Sequence, residues 1–304
     1  MCTAIALRGN EKFYFGRNMD IHYPMDFQTA RIDGSRGFSF SCGKNIDRCY
    51  SVVGTAVVSG GYPLYADAMN EKGLCMAGLE FPQLAYYEKK DGSVNNAVSP
   101  YEFIPWILTQ CSTVSMAEAI LKDTRLIDLP FSESLPLTPL HWMIADRERS
   151  IAVESVEEGL KVYPCDSNVL SNAPEYTFHA VNLRKYANLT AEQPSGDSVF
   201  GAPFSSGFGA IGLPGDFSSP SRFVKAAFVT KNAAEVIDES SDGVSEIYHA
   251  LSSVSVPCGS VKTASGQYNM TVYTSCMDPQ NGKYYRVPYS LSSRFERLAC
   301  TVKA

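Results

Sequence analysis

Strand-like and helix-like stretches come in blocks along this chain, and the order of the blocks constrains the fold more than any other feature. Residues 3–7 and 12–16 read as two short strands separated by the turn 8–11, a hairpin at the N-terminus. Residues 52–59 form a valine-rich apolar run of the kind buried on both sheet faces, and 74–79 is similar. Residues 140–145, 150–154 and 160–163 read as an antiparallel meander, and late strands are expected at 269–275 and 283–287. Helical patterns lie between these groups at 100–111, 115–123, 178–189, 220–231 and 244–254, the first announced by Ser99 and Pro100 as cap and first-turn residues. Strands, helices, strands, helices and strands in that sequence favour a layered α+β architecture with antiparallel sheets over a doubly wound parallel one.

Several chemistries are excluded early. The glycine-rich run at 207–215 leads into a Pro-Gly-Asp turn and does not open a helix after a strand, so it is no dinucleotide fingerprint. A net charge of −6 with no long basic patch disfavours nucleic-acid and anionic-membrane partners. The nine cysteines contain no CxxC, and His22, His141, His179 and His249 lack ligand spacing, so neither a metal nor another cofactor is expected. His141 stands beside Trp142 in an apolar strand and is read as a core histidine, not as the partner of a cysteine. Odd, scattered thiols, no signal-peptide pattern and no apolar run of membrane-spanning length lead us to expect a soluble cytoplasmic protein. No linker or repeat divides the 304 residues, so one catalytic domain over 1–304 is expected.

The chemistry concentrates at the N-terminus. Only Met1 precedes Cys2 in this sequence, and its removal would leave a thiol and a free α-amine on one residue. An α-amine titrates near ~7.7–8.0 and accepts protons at physiological pH, so one residue would supply both nucleophile and base. The N-terminal hairpin carries Arg17 and Asp20 back toward that residue.

Six segments, in order, carry a family resemblance: residues 1–3, 15–20, 70–74, 139–142, 170–174, and 212–216 with 219–223. Together they resemble the choloylglycine hydrolase family, the conjugated bile salt hydrolases and penicillin V acylases, from residue 2 to about 290. The resemblance implies an N-terminal nucleophile hydrolase fold, a four-layer α-β-β-α sandwich of two antiparallel sheets between helix layers. It implies hydrolysis of an amide joining an acyl group to a small amine, and assembly as a homotetramer or homodimer.

Carried over by position, the resemblance makes Cys2 the nucleophile, its own α-amine shuttling the proton. Arg17 matches the arginine beside the thiol, where a fixed cation favours thiolate. Asp20 matches the carboxylate that holds the α-amine, and Arg222 a buried arginine that orders the site. Asn172 matches the asparagine whose amide donates to the oxyanion, a contribution of ~3–4 kcal/mol in comparable sites. The backbone N–H of Glu80 is the expected second donor.

Glu80 is also where this chain departs from the pattern. Bile salt hydrolases typically carry Asn at that place and penicillin V acylases Tyr. A carboxylate there opposes an oxyanion unless it turns away, pairs with Arg222 or another cation, or is protonated, and it repels a glycine carboxylate or taurine sulfonate. A cationic or neutral amine-side group suits it better. On the acyl side Met19, Ala66, Phe131, Leu135 and Leu140 match apolar pocket positions suited to a flat hydrophobic group. The loop 128–136 resembles that of the bile salt hydrolases more than that of the penicillin acylases. The leading expectation is therefore hydrolysis of glycine- or taurine-conjugated bile salts through a Cys2 thioester. Hydrolysis of penicillin V or another N-acyl amide, and a silent binder of amphipathic ligands, stand as alternatives.

Overall fold

The structure, a computed structural model, describes residues 1–9, 11–89, 96–133, 135–193, 206–237, 242–289 and 298–301, the last four by backbone alone. The chain opens with the expected hairpin, longer than its apolar runs suggested: β1 (Cys2–Gly9) and β2 (Lys12–Ile21), with Cys2 opposite Met19 and Ala4 opposite Arg17. Seven strands then meander through one antiparallel sheet: β3 (Phe27–Ile32), β4 (Val52–Ser59), β5 (Tyr62–Asn70), β6 (Cys75–Glu80), β7 (Leu140–Ala145), β8 (Ser150–Val156) and β9 (Gly159–Pro164). Each pairs with its chain neighbour, so the spatial order is the chain order. Short pairings of 38–39 with 45–46 and of 97–98 with 125–126 lie outside this sheet.

The rest of the chain completes the sheet that the hairpin began. β10 (Val169–Leu170) lies against β1, while β12 (Tyr268–Asp278) lies against β2, with β11 (Val261–Lys262) on its flank. β13 (Lys283–Pro288) and β14 (Leu298–Thr301) extend the far edge. The N-terminal hairpin is thereby enclosed, with β10 along β1 on one side and β12 along β2 on the other.

Helices cover the two outer faces. Side chains alternate along each strand, and β6 displays the result. Cys75, Ala77 and Leu79 face the other sheet together with Met143 and Ala145 of β7. Met76, with Trp142 and Ile144 of β7, packs beneath α1 (Phe103–Leu108) and α2 (Val114–Leu121). On the other outer face, α3 (Tyr176–Leu183), α4 (Ser219–Val236) and α5 (Gly243–Ser252) cover β1, β2 and β12. Approach there is close: a Cβ on Gly16 would stand 2.5 Å from Ile247 Cγ2 and 2.7 Å from the Ser275 carbonyl. The four-layer α-β-β-α arrangement expected from the sequence is the one observed.

Local differences have local reasons. β3 and β5 were not foreseen. β3 is the outermost strand of its sheet, and its exposed Gln28, Thr29 and Arg31 break any apolar alternation. β5 contains Pro63 and the buried Asp67, both poor strand signals. Ser99 stands at the N-cap position with Pro100 in the first turn, but of a 3-10 turn, Pro100–Glu102, that precedes α1, and its hydroxyl donates to the Leu129 carbonyl and makes no cap hydrogen bond. Residues 178–189 are helical only to Leu183, followed by a 3-10 turn, Arg184–Tyr186. α4, expected over 220–231, runs from Ser219 to Val236, with the Ser218 hydroxyl accepting from Ser221 N–H and Pro220 in the first turn.

Candidate active site

Cys2 is 1% exposed at the start of β1, and two arginines reach it from opposite faces of the sheet. Arg17 projects from β2 into the space between the sheets, where its Nη2 donates to Cys2 Sγ at 2.8 Å and its Nη1 to the Ala66 carbonyl at 3.2 Å. Arg222 approaches from α4 on the helix side, its Nη1 donating to Cys2 O and Thr3 Oγ1, both at 2.5 Å, and its Nη2 to Asn172 Oδ1 at 2.7 Å. Both side chains are buried.

Two bulges make these contacts possible. In β5, Tyr65 pairs with Ala56 and Asp67 with Thr55, leaving Ala66 as an extra residue. Its carbonyl is the one that accepts from Arg17, and the same irregularity turns Asp67 inward. In β12, Thr271 pairs with Asp20 and Tyr273 with Met19, with Val272 between them. Thr271 Oγ1 thereby donates to Asp20 Oδ1 at 2.6 Å, while Tyr273 OH donates to Asp67 Oδ2 at 2.6 Å.

Asp67 is a component that the sequence did not disclose. It lies 3.8 Å from Arg17 Nη1, and the hydroxyls of Tyr273 and Tyr284 each donate to its carboxylate at 2.6 Å. Removing one member of such a buried pair typically costs ~3–5 kcal/mol, because the other charge is left unpaired. Burial by itself would depress the Arg17 pKa; Cys2, Tyr273, Asp67 and Asp20 outweigh that effect and the net shift is upward. The one available signal was an acidic residue inside the otherwise apolar run 64–69.

Asn172 stands just beyond β10, whose register with β1 (Ala4 opposite Leu170) brings it level with Cys2. Its Oδ1 accepts from the Cys2 N–H at 2.6 Å as well as from Arg222, and its Nδ2 donates to the Glu80 carbonyl at 2.8 Å in the other sheet. His179 and Ser219 hold it from behind: Ser219 Oγ accepts from Asn172 N–H at 2.9 Å, and His179 Nε2 lies 2.8 Å from Asn172 O. Since a carbonyl only accepts, that nitrogen carries the proton. Burial pushes the His179 pKa down, the Asn172 carbonyl opposing it.

Asp20 differs from its expected arrangement while Met1 is in place. Its carboxylate faces Thr271 and, at 3.9 Å, Arg222 Nη1, with Oδ2 buried and without a hydrogen bond. Burial pushes this carboxyl up; Arg222, the Thr271 hydroxyl, the N-terminal ammonium and Arg17 offset only part of the effect. The backbone carbonyl of Asp20, not its carboxylate, receives the Met1 ammonium at 2.7 Å. Glu80 likewise does not pair with Arg222: its Oε2 accepts from the same Met1 ammonium at 2.8 Å.

The backbone at Glu80 is open on one side. Phe81 N–H donates to Pro139 O at 2.8 Å, so alternation along an antiparallel pair turns the Glu80 N–H away from β7. On that other side the pairing of β6 with β5 stops at Asp67 opposite Ala77. Next to Cys2 lies an apolar cavity, and Met19, Ala66, Glu80, Phe131, Leu135 and Leu140 all line it. His141 is buried away from the cavity lining, stacked on Phe81 with centroids 4.4 Å apart and hydrogen-bonded through Nε2 to the Ser171 carbonyl, as a core histidine. Among the described residues, no group of three or more His, Cys, Asp or Glu stands close enough to hold a metal ion.

Comparison with known proteins agrees in sequence and in shape. The family model of the linear amide C-N hydrolases, choloylglycine hydrolase family, matches residues 2–294. A bile salt hydrolase/transferase of Lactiplantibacillus plantarum is 40% identical over 295 residues, covering 96% of this chain and 90% of that protein. One from Clostridium perfringens is 38% identical over 298 residues, covering 95% and 89%. A crystal structure of a conjugated bile acid hydrolase variant from Clostridium perfringens superposes with a TM-score of 0.88 at 34% identity, covering 99% of this chain and 92% of that one. Penicillin V acylase from Agrobacterium tumefaciens shares the fold, with a TM-score of 0.75 at 19% identity over 95% and 83%. The architecture is that of the N-terminal nucleophile hydrolases. Within it, the chain belongs to the choloylglycine hydrolase family and is an amide C–N hydrolase.

Proposed function

We propose that this chain hydrolyses the amide bond of conjugated bile salts, the glycine and taurine conjugates among them, with Cys2 as nucleophile once Met1 is removed. The observation that carries the reading is the position of Cys2 Sγ, hydrogen-bonded to Arg17 and bordering an apolar cavity suited to a flat acyl group. The names of the bile salt hydrolase relatives support the same substrate class.

In this mechanism the thiol gives its proton to the Cys2 α-amine and the sulfur attacks the amide carbon, forming C–S. The oxyanion that develops is met by Asn172 Nδ2–H and the Glu80 N–H. Collapse breaks C–N, and the leaving amine takes the proton from the α-ammonium. Water then attacks the thioester; the α-amine accepts its proton, C–S breaks, and the acid departs with the thiol restored. Arg17 holds the sulfur throughout. Arg222 fixes Cys2 O and Asn172 Oδ1, and Asp20, with a lone pair unclaimed beside the N-terminus, holds the α-ammonium.

A second reading has its own observation. The Met1 ammonium is bound by Glu80 and the Asp20 carbonyl, and while Met1 remains the Cys2 nitrogen is an amide that cannot act as a base. In that state the chain is a silent binder of amphipathic ligands. Intact mass and product release separate the two: loss of Met1 with release of glycine and taurine, abolished in Cys2→Ala, supports the hydrolase. A trimmed protein that releases neither but cleaves penicillin V or another N-acyl amide redirects the substrate assignment.

We further read the chain as a single catalytic domain that acts in the cytoplasm as a homotetramer or homodimer. Among the described residues no disulfide bond joins any of eight cysteines, which suits a reducing compartment. No helix among the described residues is long and apolar enough to cross a membrane.

A further inference from the structure

The amine half of the substrate meets an unusual boundary. Among the described residues lining the cavity beside Cys2, Glu80 is the only one with a formally charged side chain. Both arginines of the site are buried and engaged, Arg17 with Cys2 Sγ and the Ala66 carbonyl, Arg222 with Cys2 O, Thr3 and Asn172. A carboxylate or sulfonate on the leaving amine would therefore find no cationic side chain among the described lining residues and would face a carboxylate.

The same place already receives a cation. The Met1 ammonium lies 2.8 Å from Glu80 Oε2 and 2.7 Å from the Asp20 carbonyl, with about a third of the Glu80 side chain exposed (31%). Met1 is bonded to Cys2 N, the atom that passes its proton to the leaving nitrogen in the mechanism above. Substituents of the leaving amine must consequently enter the space that Met1 vacates on removal. Trimming leaves behind two acceptors, one ionic and one a carbonyl, converging on a point where an ammonium fits.

We infer that Glu80 and the Asp20 carbonyl form a cation subsite, and that the preferred substrates are amides whose amine half carries a positive group close to the scissile nitrogen. The inference rests on the hydrolase reading and refines its substrate. Glycine and taurine conjugates remain substrates and rank below cationic ones of equal size.

An isosteric series of cholyl amides tests this on the Met1-trimmed protein: glycine and taurine conjugates (anionic), the glycinamide conjugate (neutral) and the mono-amide of 1,2-diaminoethane (cationic). The wild type is expected to show kcat/KM for the cationic amide about tenfold or more above that for the glycine conjugate, as a charge-assisted hydrogen bond allows. Glu80→Gln, which keeps the backbone N–H, is expected to bring that ratio down to about twofold or less. An unchanged ratio in Glu80→Gln, or a wild type that prefers the anionic conjugates, overturns the cation subsite and leaves the hydrolase reading intact, since the neutral amide is still cleaved. Failure to cleave any member of the series overturns both.

Discussion

Arg17 Nη2 donates to Cys2 Sγ across 2.8 Å, a contact set by hairpin register, since Arg17 and Cys2 project into the space between the sheets from neighbouring strands. The guanidinium cannot drift, because the Ala66 carbonyl and the Asp67 carboxylate border its other nitrogen. Replacing Arg17 by Met removes a charge-assisted hydrogen bond of ~1.5–3 kcal/mol. The kcat/KM for amide cleavage should then fall by about 10–100-fold. Steady-state kinetics on a bile salt conjugate, with circular dichroism as the check on folding, measure it.

Asn172 spans both sheets, accepting from Cys2 and Arg222 and donating to Glu80 O. The oxyanion-donor role proposed for it predicts that Asn172→Ala lowers kcat by about 10²–10³ while KM changes little, the pattern of an interaction strongest in the transition state. A rise in KM with kcat preserved would contradict that assignment.

His179 gives the site a pH-sensitive support. Its folded pKa lies below the ordinary 6.5 because the ring is buried, whereas the unfolded chain titrates normally. Between those two values the unfolded state binds more protons, so stability falls as pH drops below about 6.5 toward the folded pKa. Urea unfolding at a series of pH values should show this slope in the wild type. It should be reduced in His179→Gln, which retains an N–H for the Asn172 carbonyl.

Gly16 tests the packing beneath the site. A Cβ there meets Ile247 Cγ2 at 2.5 Å and the Ser275 carbonyl at 2.7 Å, and the backbone of the neighbouring strand cannot step aside as a side chain can. Gly16→Ala should destabilise the fold by about 1–3 kcal/mol, seen as a lower urea midpoint at unchanged m-value.

Much of this protein was legible in one dimension. The hairpin 3–16, the valine-rich strand 52–59 and the block order of strands and helices led to the layered α+β fold, because apolar periodicity is a property of consecutive residues. The segments around Cys2, Arg17, Asn172 and Arg222 pointed to a common site through family resemblance, and the structure brings all four within hydrogen-bonding reach of one another's network. Tertiary structure alone decided the rest. Asp67 is tied to Tyr273 and Tyr284, more than 200 positions away, and it turns inward only because β5 bulges at Ala66. Glu80 meets the Met1 ammonium from 79 residues away, across the gap between two sheets, so its pairing with Met1 instead of Arg222 followed from where β6 ends. Local sequence encodes periodicity and turns; which charges meet inside the protein depends on sheet register and bulges, and those are settled only when distant strands pair.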